Sequence, residues 1–149
     1  MKNSLDYLMV HCTYTPAMRA VTKEDLKKWH IEERGWSRVG YSDMIHLDGS
    51  LENLIPYNQD DIIDTKEVSN GASGYNRIAR HVVYVGGKGG DTRTDMQFTA
   101  LAIYCRFTVL SHPKIKIIGH NQVSNKSCPS FDVPQFCKDI GLSSINIGL

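Results

Sequence analysis

Short apolar stretches alternate with polar segments along the chain, and their lengths predict a succession of strands. Residues 5–13 (LDYLMVHCT) are apolar and rich in β-favouring side chains, which predicts a buried first strand. Residues 81–85 (HVVYV) and 114–119 (KIKIIG) predict two further short strands. Residues 42–55 contain two more such stretches around a central Asp-Gly, a dipeptide that favours the tight turn of an antiparallel hairpin.

Helix signals lie between these strands. Residues 22–25 (TKED) combine a capping threonine with acidic residues, and they predict a helix that ends at Gly35. Residues 94–97 (TDMQ) fit a capping box, and the apolar run that continues to Leu110 predicts a central buried helix. Residues 132–141 (DVPQFCKDIG), with a proline near their start, are compatible with a short last helix.

The interleaving of strands and helices predicts an α/β fold. We expect a single three-layer domain in which helices flank a central mixed β-sheet. It should span residues 1–149, with a core from about residue 5 to about residue 140. A chain of this length buries about 68–70% of its unfolded surface, so it folds without disulfides or a structural metal. Its four cysteines are therefore expected to be free thiols or metal ligands.

Charge and hydropathy restrict the classes of function. The chain has 17 Lys and Arg against 16 Asp and Glu, a balance that excludes broad electrostatic binding of nucleic acid. No stretch reaches the roughly 20 consecutive apolar residues of a membrane-spanning helix, so no membrane partner is expected. Residues 1–6 have no apolar segment behind their single lysine, which predicts cytoplasmic synthesis without a signal peptide. We expect a monomer.

Three side chains of metal-ligand type stand at or near predicted strand ends. His11 lies near the end of the first strand, His120 directly follows another, and Cys128 comes eight residues later. A catalytic zinc ion takes three nitrogen or sulfur ligands and leaves a fourth position for water. The residue types and their number match this rule. Their spacing alone leaves open whether they meet in space, and a histidine on an apolar strand is more often a hydrogen-bonded core residue.

Short motifs that surround these residues occur in a fixed order. They are His11-Cys12-Thr13, Gly40-Tyr41, Asp48-Gly49, Gly74-Tyr75-Asn76, Val85-Gly86-Gly87, Gly119-His120 and residues 126–132 (KSCPSFD). Together they resemble the N-acetylmuramoyl-L-alanine amidase family of the phage-lysozyme type, which includes the peptidoglycan recognition proteins. The resemblance spans residues 7–136, and the Lys-x-Cys-Pro-x-Phe-Asp segment is its most specific part.

The resemblance implies a zinc-dependent hydrolase of the amide bond between N-acetylmuramic acid and L-alanine. By the resemblance His11, His120 and Cys128 hold Zn²⁺, while Tyr41 and Lys126 assist catalysis. A lysine ammonium near the metal can stabilise the developing oxyanion, and a tyrosine hydroxyl can donate a hydrogen bond or pass a proton to the leaving amine. The implied partners are peptidoglycan or muropeptides.

Several biological roles are compatible with this chemistry. A phage or prophage lysis enzyme, which would act on the cell wall after release, is the preferred interpretation. A peptidoglycan-binding module without activity is the alternative from another class, and the presence of Cys128 counts against it. The same chemistry could also serve wall recycling on muropeptide fragments, or hydrolysis of a different amide.

The chain departs from the family pattern at four places. Ser42-Asp43 replaces a usual His-Phe, and Asn70 stands roughly where a loop histidine is common. Residues 79–81 (ARH) replace a usual Ser-Ile-Gly, and Gln122 stands where an acidic residue is common. We expect these departures to affect substrate shape and metal tuning. Arg80 and His81 are candidates for reshaping the groove or for binding a carboxylate of the stem peptide.

Other conspicuous side chains are expected to be structural. Cys12 should point to the opposite face of its strand from His11, because neighbouring residues of a strand alternate. His30 and His112 are expected at the surface. Cys105 and Cys137 are expected to be structural. Trp29 and Trp36 are expected to serve packing in preference to forming a platform for a sugar.

Overall fold

A five-stranded mixed sheet forms the centre of the computed structural model, which describes residues 3–149. The strands are β1 (Asn3–Ser4), β2 (Tyr7–Cys12), β3 (Asp43–Ile45), β4 (Leu51–Asn53), β5 (Ile62–Ile63), β6 (Ala79–Tyr84) and β7 (Lys116–Gly119). The sheet order is β4-β3-β6-β2-β7, and only β4 runs antiparallel to its neighbour. Strands β1 and β5 form a separate antiparallel pair. The predicted mixed sheet is confirmed.

The two central strands, β2 and β6, are buried almost throughout. Parallel strands covered on both faces need apolar side chains in succession, which explains why their sequences read as continuous apolar runs. In the register between them, Met9 lies opposite His81 and His11 lies opposite Val83. His11 and His81 are thus diagonal neighbours on the same face of the sheet.

The helices begin where the sequence signals predict. They are α1 (Lys23–Lys27), which continues as a π-helical segment (Lys28–Glu33), α2 (Asp95–Ser111) and α3 (Val133–Asp139). The hydroxyls of Thr22 and Thr94 accept backbone N–H groups in the first turns of α1 and α2, and the Asp132 carboxylate does so in α3. Each cap satisfies a donor that the helix itself leaves unpaired.

Helices cover both faces of the sheet and make the predicted three layers. Leu8 and Val10 of β2 pack with Leu101, Cys105 and residues of α3 on one face. The other face of the sheet lies under α1 and the loops, where Leu26 packs with residues of β3 and β6. The prediction of one domain with a three-layer α/β architecture is confirmed.

The outer side of α2 differs from the prediction of a central buried helix. Leu101 and Cys105 are buried against the sheet, whereas Ile103, Phe107 and Leu110 are exposed. Apolar residues lie on all sides of this helix, so their spacing did not distinguish the face that packs from the face that meets solvent. The helix lies on the surface of the domain.

The hairpin predicted around Asp-Gly is confirmed as β3 and β4, with Ile45 opposite Leu51. Gly49 in the turn has φ +83°, a conformation that favours glycine. A Cβ atom there would lie 2.8 Å from the carbonyl oxygen of Met96, so the turn packs closely against the start of α2. Across residues 3–149 we find no helix with both the length and the apolar character that crossing a bilayer requires.

Candidate active site

His11, His120 and Cys128, far apart in sequence, meet at one end of the sheet. His11 stands near the end of β2, and His120 directly follows β7, which pairs in parallel with β2. Cys128 lies on the loop between β7 and α3. Their potential ligand atoms all lie within 4.8 Å of one another, and all three residues are buried. The sulfur of Cys128 is 3.8 Å from Nδ1 of His11.

This donor set fits zinc in chemistry and separation. Ligands bound at about 2.0–2.3 Å around a tetrahedral ion lie about 3.3–3.8 Å apart, which is the scale of the cluster. Burial, followed by the positive charge of Lys126, lowers the pKa of His120, and burial is the largest cause that lowers the pKa of His11. Both imidazoles are therefore neutral, the form that binds a metal.

Cys128 is held by a backbone contact as well as by burial. Its sulfur accepts a hydrogen bond from the Cys12 amide at 3.2 Å. The neighbouring Cys12 thiol and burial together raise the pKa of Cys128, so a nearby cation is what would make it a thiolate. Cys12 itself belongs to the core on the α2 side of the sheet, as predicted.

Tyr41 and Lys126 line the same cavity as the cluster. The half-buried ring of Tyr41 lies 5.2 Å from that of His11, centroid to centroid. Burial, and then the Cys128 and Cys12 thiols, raise the pKa of Tyr41, so its hydroxyl keeps its proton and can donate. Lys126 is exposed and stands two residues before Cys128. Its ammonium group is therefore free to meet a substrate.

The cavity holds about 380 Å³ and has an aromatic wall. Trp29 and Trp36 contribute to this wall, and Trp29 also packs against the core beneath α1. Both tryptophans are half-buried. A cavity of this size, with an apolar wall and a few convergent polar groups, is typical of a ligand-binding site.

Two histidines expected at the surface are in fact buried. The ring of His30 lies between Trp36 and Tyr41, with centroid distances of 4.7 Å and 5.3 Å. Its Nδ1 accepts the Gly40 amide at 2.9 Å, which joins the π-helical segment after α1 to the loop before β3. His112 is also buried, at the other end of the sheet, with Nδ1 2.6 Å from the Asp61 carboxylate. The four-residue spacing of Leu26 and His30 was the available signal for the first of them.

The four departures from the family pattern have different structural outcomes. Asp43 is buried on the α2 side and accepts hydrogen bonds from Tyr57, Tyr104 and Asn53. The amide oxygen of Gln122 accepts the Gly119 N–H at 2.7 Å, and the Asn70 amide contacts the loop at residues 37–38. None of these three side chains lines the cavity.

The hypothesis that Arg80 binds a substrate carboxylate is wrong. Arg80 is buried on the opposite face of β6 from His81, and its guanidinium stacks 3.6 Å from the centre of the Tyr57 ring. Sequence reasoning also missed the role of His81 itself. His81 is fully buried, and its Nδ1 lies 2.8 Å from Nε2 of His11.

Comparison with known proteins identifies the family of the chain. The N-acetylmuramoyl-L-alanine amidase family matches residues 1–131 of the chain. The chain belongs to this family. An endolysin of Enterobacteria phage K11 is 33% identical over 134 residues, which cover 87% of this chain and 83% of that relative.

Solved structures of other proteins share the fold. The amidase LysC from Clostridium intestinale superposes with a TM-score of 0.75 at 22% identity, covering 94% of this chain and 87% of that chain. A mutant of Drosophila PGRP-LB in complex with tracheal cytotoxin has a TM-score of 0.70 at 24% identity, covering 85% of this chain and 76% of that chain. Membership of the amidase family assigns the chain's activity to hydrolysis of peptidoglycan at the N-acetylmuramoyl-L-alanine bond.

Proposed function

We propose that the protein is a zinc-dependent peptidoglycan amidase whose metal ligands are His11, His120 and Cys128. The observation that carries this proposal is the convergence of two imidazoles and one thiol within 4.8 Å of one another, in a cavity. When bound, zinc supplies a Lewis acid that lowers the pKa of a water molecule toward about 7 and polarises the amide carbonyl.

Two side chains of the chain would serve the reaction beside the metal. Lys126 lies at the cavity and carries an ammonium that can meet the negative charge developing on the carbonyl oxygen. One such well-placed donor contributes roughly 2.7–4 kcal/mol of transition-state stabilisation. Tyr41 keeps its proton, so it donates a hydrogen bond to the same oxygen or gives its proton to the leaving amine. We assign catalytic roles to both residues.

The cavity's substrate is proposed to be the stem-peptide end of a muramoyl peptide. A structural neighbour of this chain, the Drosophila PGRP-LB mutant, was solved with tracheal cytotoxin, a peptidoglycan fragment. The aromatic wall formed by Trp29 and Trp36 can hold the apolar face of such a ligand while the polar cluster holds the scissile amide. Similarity to the K11 endolysin supports a role in phage lysis, with action on the cell wall.

Metal content and reaction products test the proposal together. Purified protein is expected to hold one zinc ion per chain by elemental analysis. Incubated with purified cell wall, it should release stem peptides with free L-alanine N-termini and leave glycan strands intact by mass spectrometry. Chelation should stop release, and added zinc should restore it. Wall binding without release, or unchanged release after complete chelation, would overturn the proposal.

A further inference from the structure

His81 sits beneath the cluster and joins it to a loop. Nε2 of His11 lies 2.8 Å from Nδ1 of His81, and Nε2 of His81 lies 3.0 Å from Oδ1 of Asn76. The same Asn76 oxygen accepts the backbone N–H of Ala72 at 2.8 Å. Four groups therefore form one continuous chain of hydrogen bonds from the loop to His11.

The direction of every hydrogen bond in this chain follows from the backbone N–H of Ala72 at its loop end. A backbone amide can only donate, so the atom of Asn76 that it contacts is the carbonyl oxygen. That oxygen can only accept, so Nε2 of His81 carries the hydrogen. A fully buried imidazole between another imidazole and an amide oxygen is neutral, because neither of these two partners carries a negative charge that could balance it. Nδ1 of His81 is then a bare acceptor.

The same logic fixes His11. Its Nε2 must carry a hydrogen to bond the bare Nδ1 of His81, and a neutral imidazole has only one such hydrogen. Nδ1 of His11 therefore presents its lone pair, and this is the atom 3.8 Å from the sulfur of Cys128. We infer that His81, oriented by Asn76, is a positioning residue that selects the tautomer and ring orientation with which His11 faces the metal. The inference rests on the proposed metal site.

The absence of a side chain at Gly71 provides the space that the His81 ring occupies. A Cβ atom at position 71 would lie 2.5 Å from Nδ1 of His81 and 2.6 Å from the Gly40 carbonyl oxygen. The loop thus closes directly over the ring, and Ala72 supplies the orienting N–H from the next position. Removal of a hydrogen bond to a metal-binding histidine typically weakens metal affinity about 10–100-fold.

Imidazole ¹⁵N NMR of the metal-free wild-type protein tests this chain of hydrogen bonds without any substitution. Both His11 and His81 are expected as neutral Nε2–H tautomers, each with an unprotonated Nδ1. An Nδ1–H tautomer at either residue would overturn the inference. This readout does not depend on zinc, so it is separate from the test of the proposed function.

Zinc affinity, measured by competition with a chelator, tests the consequence. His81→Leu removes the acceptor at similar volume, and it should weaken zinc binding about 10–100-fold and mix the His11 tautomers. His81→Asn keeps an acceptor near the Nδ1 position and should restore most of the affinity. His112→Leu removes a buried histidine away from the site and serves as the matched control.

The outcomes distinguish failure of the proposed function from failure of the positioning role of His81. Failure of the wild-type protein to bind zinc overturns the proposed function, whatever the tautomers. Zinc binding by wild type with unchanged affinity in folded His81→Leu overturns the positioning role. Equal losses in His81→Asn and His81→Leu would also overturn it, because a merely structural role does not distinguish an acceptor from a methyl group.

Discussion

The amide nitrogen of Cys12 lies 3.2 Å from the sulfur of Cys128, although 116 residues separate them in sequence. This contact joins the end of β2 to the loop before α3 and aims the sulfur toward His11. A hydrogen bond from a backbone amide favours the thiolate over the thiol. The fold thus prepares the sulfur for a cation at a buried position where a free negative charge would be costly.

Cys128→Ser should separate metal binding from folding. The hydroxyl keeps a similar shape and can still accept the Cys12 amide, but it is a poor zinc ligand. We expect zinc content to fall below a tenth of the wild-type value and amide hydrolysis to fall at least about 100-fold. Cys137→Ala is the matched control, because this buried thiol lies on α3 outside the cavity. It should lower the melting temperature and keep the zinc.

Lys126→Ala should lower turnover without disturbing the metal. The side chain is exposed, so its loss should leave the melting temperature within about 1 °C and the zinc content unchanged. Loss of one oxyanion donor predicts a fall in kcat of about 10²–10³-fold. Steady-state hydrolysis of a soluble muropeptide measures this. Lys138→Ala, another exposed lysine, is the control, and equal effects of the two changes would contradict the catalytic role.

Acidic pH should destabilise the protein through His30, which supports the aromatic wall of the cavity. Burial, and then the charge of Arg34, lower the pKa of His30 from 6.5 to about 4. The folded state therefore favours neutral His30. Its contribution to stability is complete above pH 6.5 and is lost as the pH falls through 4. The loss is at most about 3 kcal/mol at full protonation.

Urea unfolding between about pH 7 and about pH 4 measures this contribution. As the pH is lowered, the free energy of unfolding should fall more steeply in wild type than in His30→Gln, whose amide does not titrate in this range. Parallel curves for the two proteins would contradict the prediction.

The Asp43 carboxylate should matter for stability and not for chemistry. Tyr104 and Tyr57 both donate to one of its oxygens, at 2.6 Å and 2.5 Å, on the face of the sheet away from the cavity. Tyr104→Phe removes one donor from a buried charge and should cost about 2 kcal/mol, measured by urea unfolding. Zinc affinity should not change. The exposed Phe107→Ala is the control on the same helix, with an expected cost under about 0.5 kcal/mol.

The sequence signals predicted the strands and helix starts well because those signals are local. Apolar runs marked β2 and β6, and Thr22 and Thr94 marked the first turns of α1 and α2. The exposed side of α2 was missed because its apolar residues surround the helix. A periodic pattern identifies a buried face only where polar residues occupy the other one.

The candidate site could be predicted only in part. Residue types and motif order pointed to His11, His120 and Cys128, but their convergence depends on the pairing of β2 with β7, which no local pattern encodes. His81 was noticed as a departure, yet its bond to His11 depends on strand register and on the space left by Gly71. Contacts between strands depend on the tertiary structure, and the local patterns of a single sequence do not predict them.

The order in which the ligand residues occur along the chain has a consequence for biosynthesis. Cys128 is made after both His11 and His120, so the three proposed ligands are complete only once synthesis has passed residue 128. A nascent chain that ends before residue 128 lacks the sulfur of the ligand set. If zinc binds as proposed, its binding energy can stabilise the fold only after all three of these residues have been made. Incomplete translation products would have no hydrolytic power against the wall.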